Sequence, residues 1–132
     1  MARPEPSRPD SSSTNPSRPD LLIDCDPGHD DAIALLLAGR YANVVGVSTV
    51  SGNVPLELTT RNALATLQLL GLEAPVHAGA ARPLVAPPRH APDIHGESGL
   101  GGPTLPPLAR RAASENAVDF LIETILSRDD LW

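Results

Sequence analysis

The sequence contains no lysine and only one residue each of cysteine, tryptophan, tyrosine and phenylalanine. The lone cysteine, Cys25, excludes an intramolecular disulfide and any cysteine-cluster metal site. Its neighbours are acidic, which raises a thiol pKa, so Cys25 reads as a small buried packing residue and not as a nucleophile. All ten basic residues are arginine, which reads as codon usage in the source genome, and they form no cluster. Phosphate neutralisation needs grouped cations, so with a formal net charge of −6 a nucleic-acid surface is excluded and small neutral or cationic ligands fit better.

Long apolar runs are missing too: no segment approaches the ~20 residues of a membrane span, so no membrane partner is expected. The first twenty residues, "MARPEPSRPDSSSTNPSRPD", hold five prolines, five serines and no aliphatic side chain larger than alanine after Met1. Such a stretch cannot bury enough apolar surface to offset its ordering entropy, so residues 1–20 are expected to be a disordered tail. Without an apolar h-region it is no secretory signal, and Glu5, Asp10 and Asp20 argue against a transit peptide. Residues 21–132 suit one small domain, expected to be soluble and cytoplasmic.

What the domain does contain is a strand–helix alternation. "LLIDC" is a short apolar run ending at Pro27-Gly28, and "DDAIALLLAGR" has helical character, with Asp30 or Asp31 near its start and Gly39 near its end. "NVVGVSTV" is β-branched and nearly continuously apolar, as a parallel strand covered on both faces should be. A second helix follows in "VPLELTTRNALATLQLLG", with Pro55 in its first turn, apolar residues at Leu56, Ala63, Leu64, Leu67 and Leu70, and Gly71 as the stop. "APVHAG" supplies a short third strand, and Ser114 is placed to cap a third helix with the apolar face Val118, Leu121, Ile122 and Ile125. This order predicts an α/β fold with an open, mostly parallel sheet and right-handed crossovers. In such sheets ligands sit at the carboxyl ends of the strands, where the aspartate-rich turn and "STVSGN" converge.

Between Gly79 and Ser114 lies a segment with seven prolines and four glycines, far longer than an ordinary connection. Within it "HGESGLGG" sets His95, Glu97 and Ser98 among glycines, either a polar tip on a mobile hinge or a plain flexible connection.

Four aspartates, Asp24, Asp26, Asp30 and Asp31, fall within eight positions. A helix N-terminus accounts for Asp30 and Asp31 through capping and the helix dipole, but not for Asp24 and Asp26. Carboxylates this close raise one another's pKa unless a cation screens them, and an all-oxygen set points to calcium or magnesium. Asp26 and Asp31, five residues apart across the Pro-Gly bend, can converge on one ion and leave Asp30 free for chemistry. Two enzyme classes use such a cluster. An apolar strand followed by Asp-x-Asp resembles the haloacid dehalogenase phosphatases, with Asp24 as nucleophile and Asp26 as acid/base, but that family's pattern wants Gly-Thr directly after the second aspartate.

The other class matches more of the chain. "DCDPGHDDAIALLLA" resembles the Asp-x-Asp-Pro-Gly-x-Asp-Asp-Ala signature of the inosine/uridine-preferring nucleoside hydrolases. The likeness continues through "VSTVSGN", "RNA" at Arg61–Ala63, "PVHAGAARPLV" and "HGESGLGG", covering residues 20 to 130 in order. The resemblance implies a Rossmann-like fold and hydrolysis of the N-glycosidic bond of ribonucleosides to base and ribose. In that family calcium holds the ribose 2′- and 3′-hydroxyls and a water that attacks the anomeric carbon. Carried over, Asp26 and Asp31 are calcium ligands, Asp30 is the base, Asp24 orients the ligands, Asn53 bonds the ribose or metal shell, and His95 lies near the leaving base. Family members run to more than twice this length, and their later part carries further calcium and ribose ligands. The 132-residue chain alone is therefore expected to be inactive, a nucleoside hydrolase portion or a non-catalytic calcium- or ribose-binding fragment, with homo-oligomers expected at full length.

Overall fold

The computed structural model describes residues 15–102 and 104–132. Three parallel strands, β1 (Asp20–Cys25), β2 (Asn43–Thr49) and β3 (Val76–Ala78), lie side by side in that order. Helix α1 (His29–Tyr41) joins β1 to β2 and α2 (Leu56–Leu70) joins β2 to β3. The expected parallel α/β sheet is thus what forms. α2 ends at Gly71, whose φ of 67° closes the helix in the left-handed region.

Strand register decides where the site sits. Cys25 pairs with Thr49 and Thr49 with Ala78, so the three carboxyl ends finish level. On one face Cys25, Val47 and Val76 pack against Leu35 of α1 and Ala63, Leu64 and Leu67 of α2, forming the core. The opposite face is covered by the last helix, α4 (Ala117–Leu126), which follows a single short turn of helix in the long connection, α3 (Pro92–His95).

The structure corrects the reading of α4. Its cap is Asn116, whose side chain accepts from the Asp119 N–H, while Ser114 pairs instead with His77 at 2.7 Å. The side turned to the sheet carries Ala117 and Phe120, and Phe120 stacks on His77 with ring centroids 3.7 Å apart. Gly46 leaves the space for that ring, since a β-carbon there would collide with it. Val118, Ile122 and Ile125, expected as the packing face, are exposed.

Of the expected tail, residues 1–14 lie outside the described residues. Asn15 is held against the domain by reciprocal bonds with Asn43, and Asp20 already belongs to β1. Chain beyond α4 returns to β1: Trp132 donates to the Asp20 carbonyl and accepts from the Leu22 N–H, a parallel bridge on the strand's outer edge. No helix among the described residues is long and apolar enough to cross a membrane.

Candidate active site

The turn after β1 and the segment after β2 meet through hydrogen bonds that the aspartates accept. Asp31, on the first turn of α1, accepts at Oδ2 from the Asp26 N–H at 2.9 Å. Asp26 in turn accepts at Oδ2 from the Asn53 N–H at 2.7 Å, and the Asn53 amide donates to the Asp26 carbonyl at 3.1 Å. Capping does not explain these acids: the N-cap of α1 is Gly28, with no side-chain cap bond. Each carboxylate is instead aimed by one oxygen, leaving its other oxygen without a partner among the described residues.

Close packing makes the arrangement specific. A β-carbon at Gly52 would strike the Asp26 carboxylate, and one at Gly28 would strike both the His95 ring and the Asn53 amide. His95 reaches this point from α3, where its Nδ1 accepts a long bond from the His29 N–H at 3.4 Å and its ring lies 5.3 Å from that of His29. Asp26, Asp31, Asn53 and His95 are therefore gathered around the Pro27-Gly28 bend. Asp30 stands beside them on α1, exposed and without a hydrogen bond among the described residues. Asp24 is not part of this network. Its carboxylate accepts from the Ser48 hydroxyl, and strand alternation turns it to the face opposite Cys25.

No basic side chain compensates this charge. The salt bridges among the described residues join Arg128 to Asp20 and to Asp130, away from the bend. Asp31 accordingly holds its proton more tightly than an ordinary aspartate, first because burial disfavours the carboxylate and then because Asp26 and Asp30 repel it, against the Asp26 N–H bond that lowers it. Burial and the same acids push the Cys25 thiol up to about 12, ruling it out as a nucleophile. Two half-shielded carboxylates with oxygen-only donors and no counter-ion fit a hard cation. Among the described residues no three His, Cys, Asp or Glu side chains are grouped to hold one, so the chain offers a partial coordination sphere.

One residue of this network was not singled out by the sequence. Asn62 of α2 donates to the carbonyls of Pro27, at 3.1 Å, and Ser98, at 2.8 Å. Its partners are backbone atoms about 35 positions away, so only its place in "RNA" marks it. A cavity of about 920 Å³ lies between the start of α2 and residues 108–115 and is lined by none of these site residues.

The family profile described as inosine-uridine preferring nucleoside hydrolase matches residues 21–132. The chain belongs to this nucleoside hydrolase family. It is similar to the pyrimidine-specific ribonucleoside hydrolase RihB of Escherichia coli, for example strain K12 / DH10B, at 41% identity over 111 residues. That match covers 83% of this chain and 36% of RihB. Among solved structures, a plant nucleoside hydrolase, PpNRh1, superposes with a TM-score of 0.76 at 33% identity, covering 86% of this chain and 37% of that one. An inosine-guanosine nucleoside hydrolase, IG-NH, gives 0.74 at 28% identity, covering 85% and 37%. This nucleoside hydrolase chain therefore spans little more than a third of the relatives it matches.

Proposed function

We propose that these residues form the carboxylate half of a site that hydrolyses the N-glycosidic bond of ribonucleosides. The observation that carries the reading is the Asp31–Asp26–Asn53 hydrogen-bond chain, which aims two uncompensated carboxylates at one place in a nucleoside hydrolase framework.

Calcium, when bound by Asp26 and Asp31, supplies a Lewis acid that acidifies and orients a water and engages the sugar hydroxyls. Asp30, exposed and free of other bonds, takes the proton of the attacking water. Its negative charge also stabilises the positive charge that grows on the sugar as the bond to the base breaks. Asn53, already bonded to Asp26, presents its remaining amide capacity to the ribose or to the cation's shell. His95 stands over Gly28 on the side that the base occupies, and Asp24, through Ser48, steadies the strand end behind the ligands. The setting is cytoplasmic and the product base and ribose are available for reuse, with homo-oligomers the form of the longer protein.

By itself the 132-residue chain holds calcium weakly, with a Kd of roughly 10⁻⁴–10⁻³ M for so few ligands, and releases no ribose. The test is calorimetric titration of the chain with calcium, alongside assays for ribose from inosine or uridine and for phosphate from a phosphomonoester. A weak site abolished by Asp26→Asn or Asp31→Asn is expected. Phosphate release dependent on Asp24 would instead establish the phosphatase reading, and calcium uptake indifferent to both substitutions would refute the site.

A further inference from the structure

Asn62 sits in the middle of α2 with no exposed surface, yet its side chain serves the loops and not the helix. Its amide ties the Pro27 carbonyl to the Ser98 carbonyl, joining the bend after β1 to the glycine-rich segment. Its own carbonyl oxygen, Oδ1, is buried with no hydrogen-bond partner among the described residues. A buried acceptor without a donor lowers stability, and an apolar side chain of similar volume would carry no such penalty, so packing alone does not account for asparagine here.

The two donors link segments that carry site residues. Pro27 lies between Asp26 and Gly28, and Ser98 lies three residues after His95, whose ring rests over Gly28. The loop is seated directly on the amide: Gly99, at φ 84°, is buried so closely that a β-carbon would fall 2.8 Å from Asn62 Nδ2 and 2.9 Å from Val54 Cγ2. Only one other backbone bond, Ala91 N–H to the Asn53 carbonyl, fastens the start of α3 to the same region.

We infer that Asn62 is a positioning residue, a clasp that sets the His95 segment in register with the Asp26–Gly28 bend so that carboxylates and histidine form one site. Its chemical purpose rests on the nucleoside hydrolase reading; its test does not. Hydrogen–deuterium exchange of the 132-residue chain is compared for wild type, Asn62→Asp, which keeps the size but removes both donors, and Gly99→Ala, which unseats the loop from its other side. Amides of residues 95–102 are expected to exchange about tenfold faster or more in both variants, while β2 keeps its protection. Wild-type protection of the loop in both variants, or loss of β2 protection in step with the loop in both, overturns the inference. Should Asn62→Asp unfold the whole chain, Gly99→Ala decides: selective release of the loop supports the clasp and an undisturbed loop refutes it. In a longer protein that releases ribose, Asn62→Asp raises KM with kcat little changed, whereas Asp30→Asn lowers kcat; equal loss of both parameters in Asn62→Asp counts against positioning. Exchange as expected with no ribose from such a protein would refute the hydrolase reading and leave the clasp in place.

Discussion

Cys25 registers the acidity of its surroundings more directly than any other side chain. With its pKa at about 12, the folded protein should react with iodoacetamide at pH 8 far more slowly than the urea-unfolded chain, whose thiol ionises near 8.5. Equal rates would mean that the β1 end is not buried as described. Gly52 gives a second test at this scale. A methyl group there displaces the Asp26 carboxylate, so Gly52→Ala should weaken calcium binding by about tenfold or more, roughly the loss of one well-placed ligand, with an unchanged far-ultraviolet spectrum. Residue roles were legible where the chain itself brings groups together: Asp26 and Asp31 are five positions apart across one bend, and the structure joins them. They were illegible where partners come from afar. Nothing local in the sequence separates Asp24 from the other acids, yet Ser48, its partner across the sheet, holds it out of the network. Asn62 bonds only to distant backbone carbonyls, which carry no side-chain signature.

Elements were read well where periodicity and stops agree, as in α2 closed by Gly71, and poorly where several faces are apolar. α4 offers a continuous stripe at Val118, Ile122 and Ile125, but the space above Gly46 selects Phe120 and leaves the stripe exposed. Truncating that anchor, Phe120→Ala, should cost about 2–3 kcal/mol, below the range for a fully buried ring because Phe120 is only half-buried, as measured by urea denaturation. Asn116→Ala should cost about 1 kcal/mol by loss of the cap. The same contact carries a pH dependence. Burial lowers the His77 pKa below its usual 6.5, so the unfolded state binds the proton more tightly. His77 therefore adds stability above the unfolded pKa and loses it as pH falls through the folded one. Thermal melts of wild type should drop more between pH 7 and pH 5 than those of His77→Gln; parallel curves would remove His77 from the account.

At the scale of the molecule, the three-stranded sheet lines up its carboxyl ends and gathers Asp26, Asp31, Asn53 and His95 at that edge. Exposed apolar side chains on α1, Ile33, Leu37 and Tyr41, and on α4 accompany a chain that spans 36% of RihB. The most direct measurement is ribose release by a chimera in which residues 21–132 replace the matching segment of E. coli RihB, assayed with pyrimidine ribonucleosides. The account predicts ribose from the folded chimera, lost on chelation and reduced by about 10²–10⁴-fold in Asp30→Asn, the usual worth of a general base. A folded chimera that releases no ribose, or one whose rate survives Asp30→Asn undiminished, would contradict it.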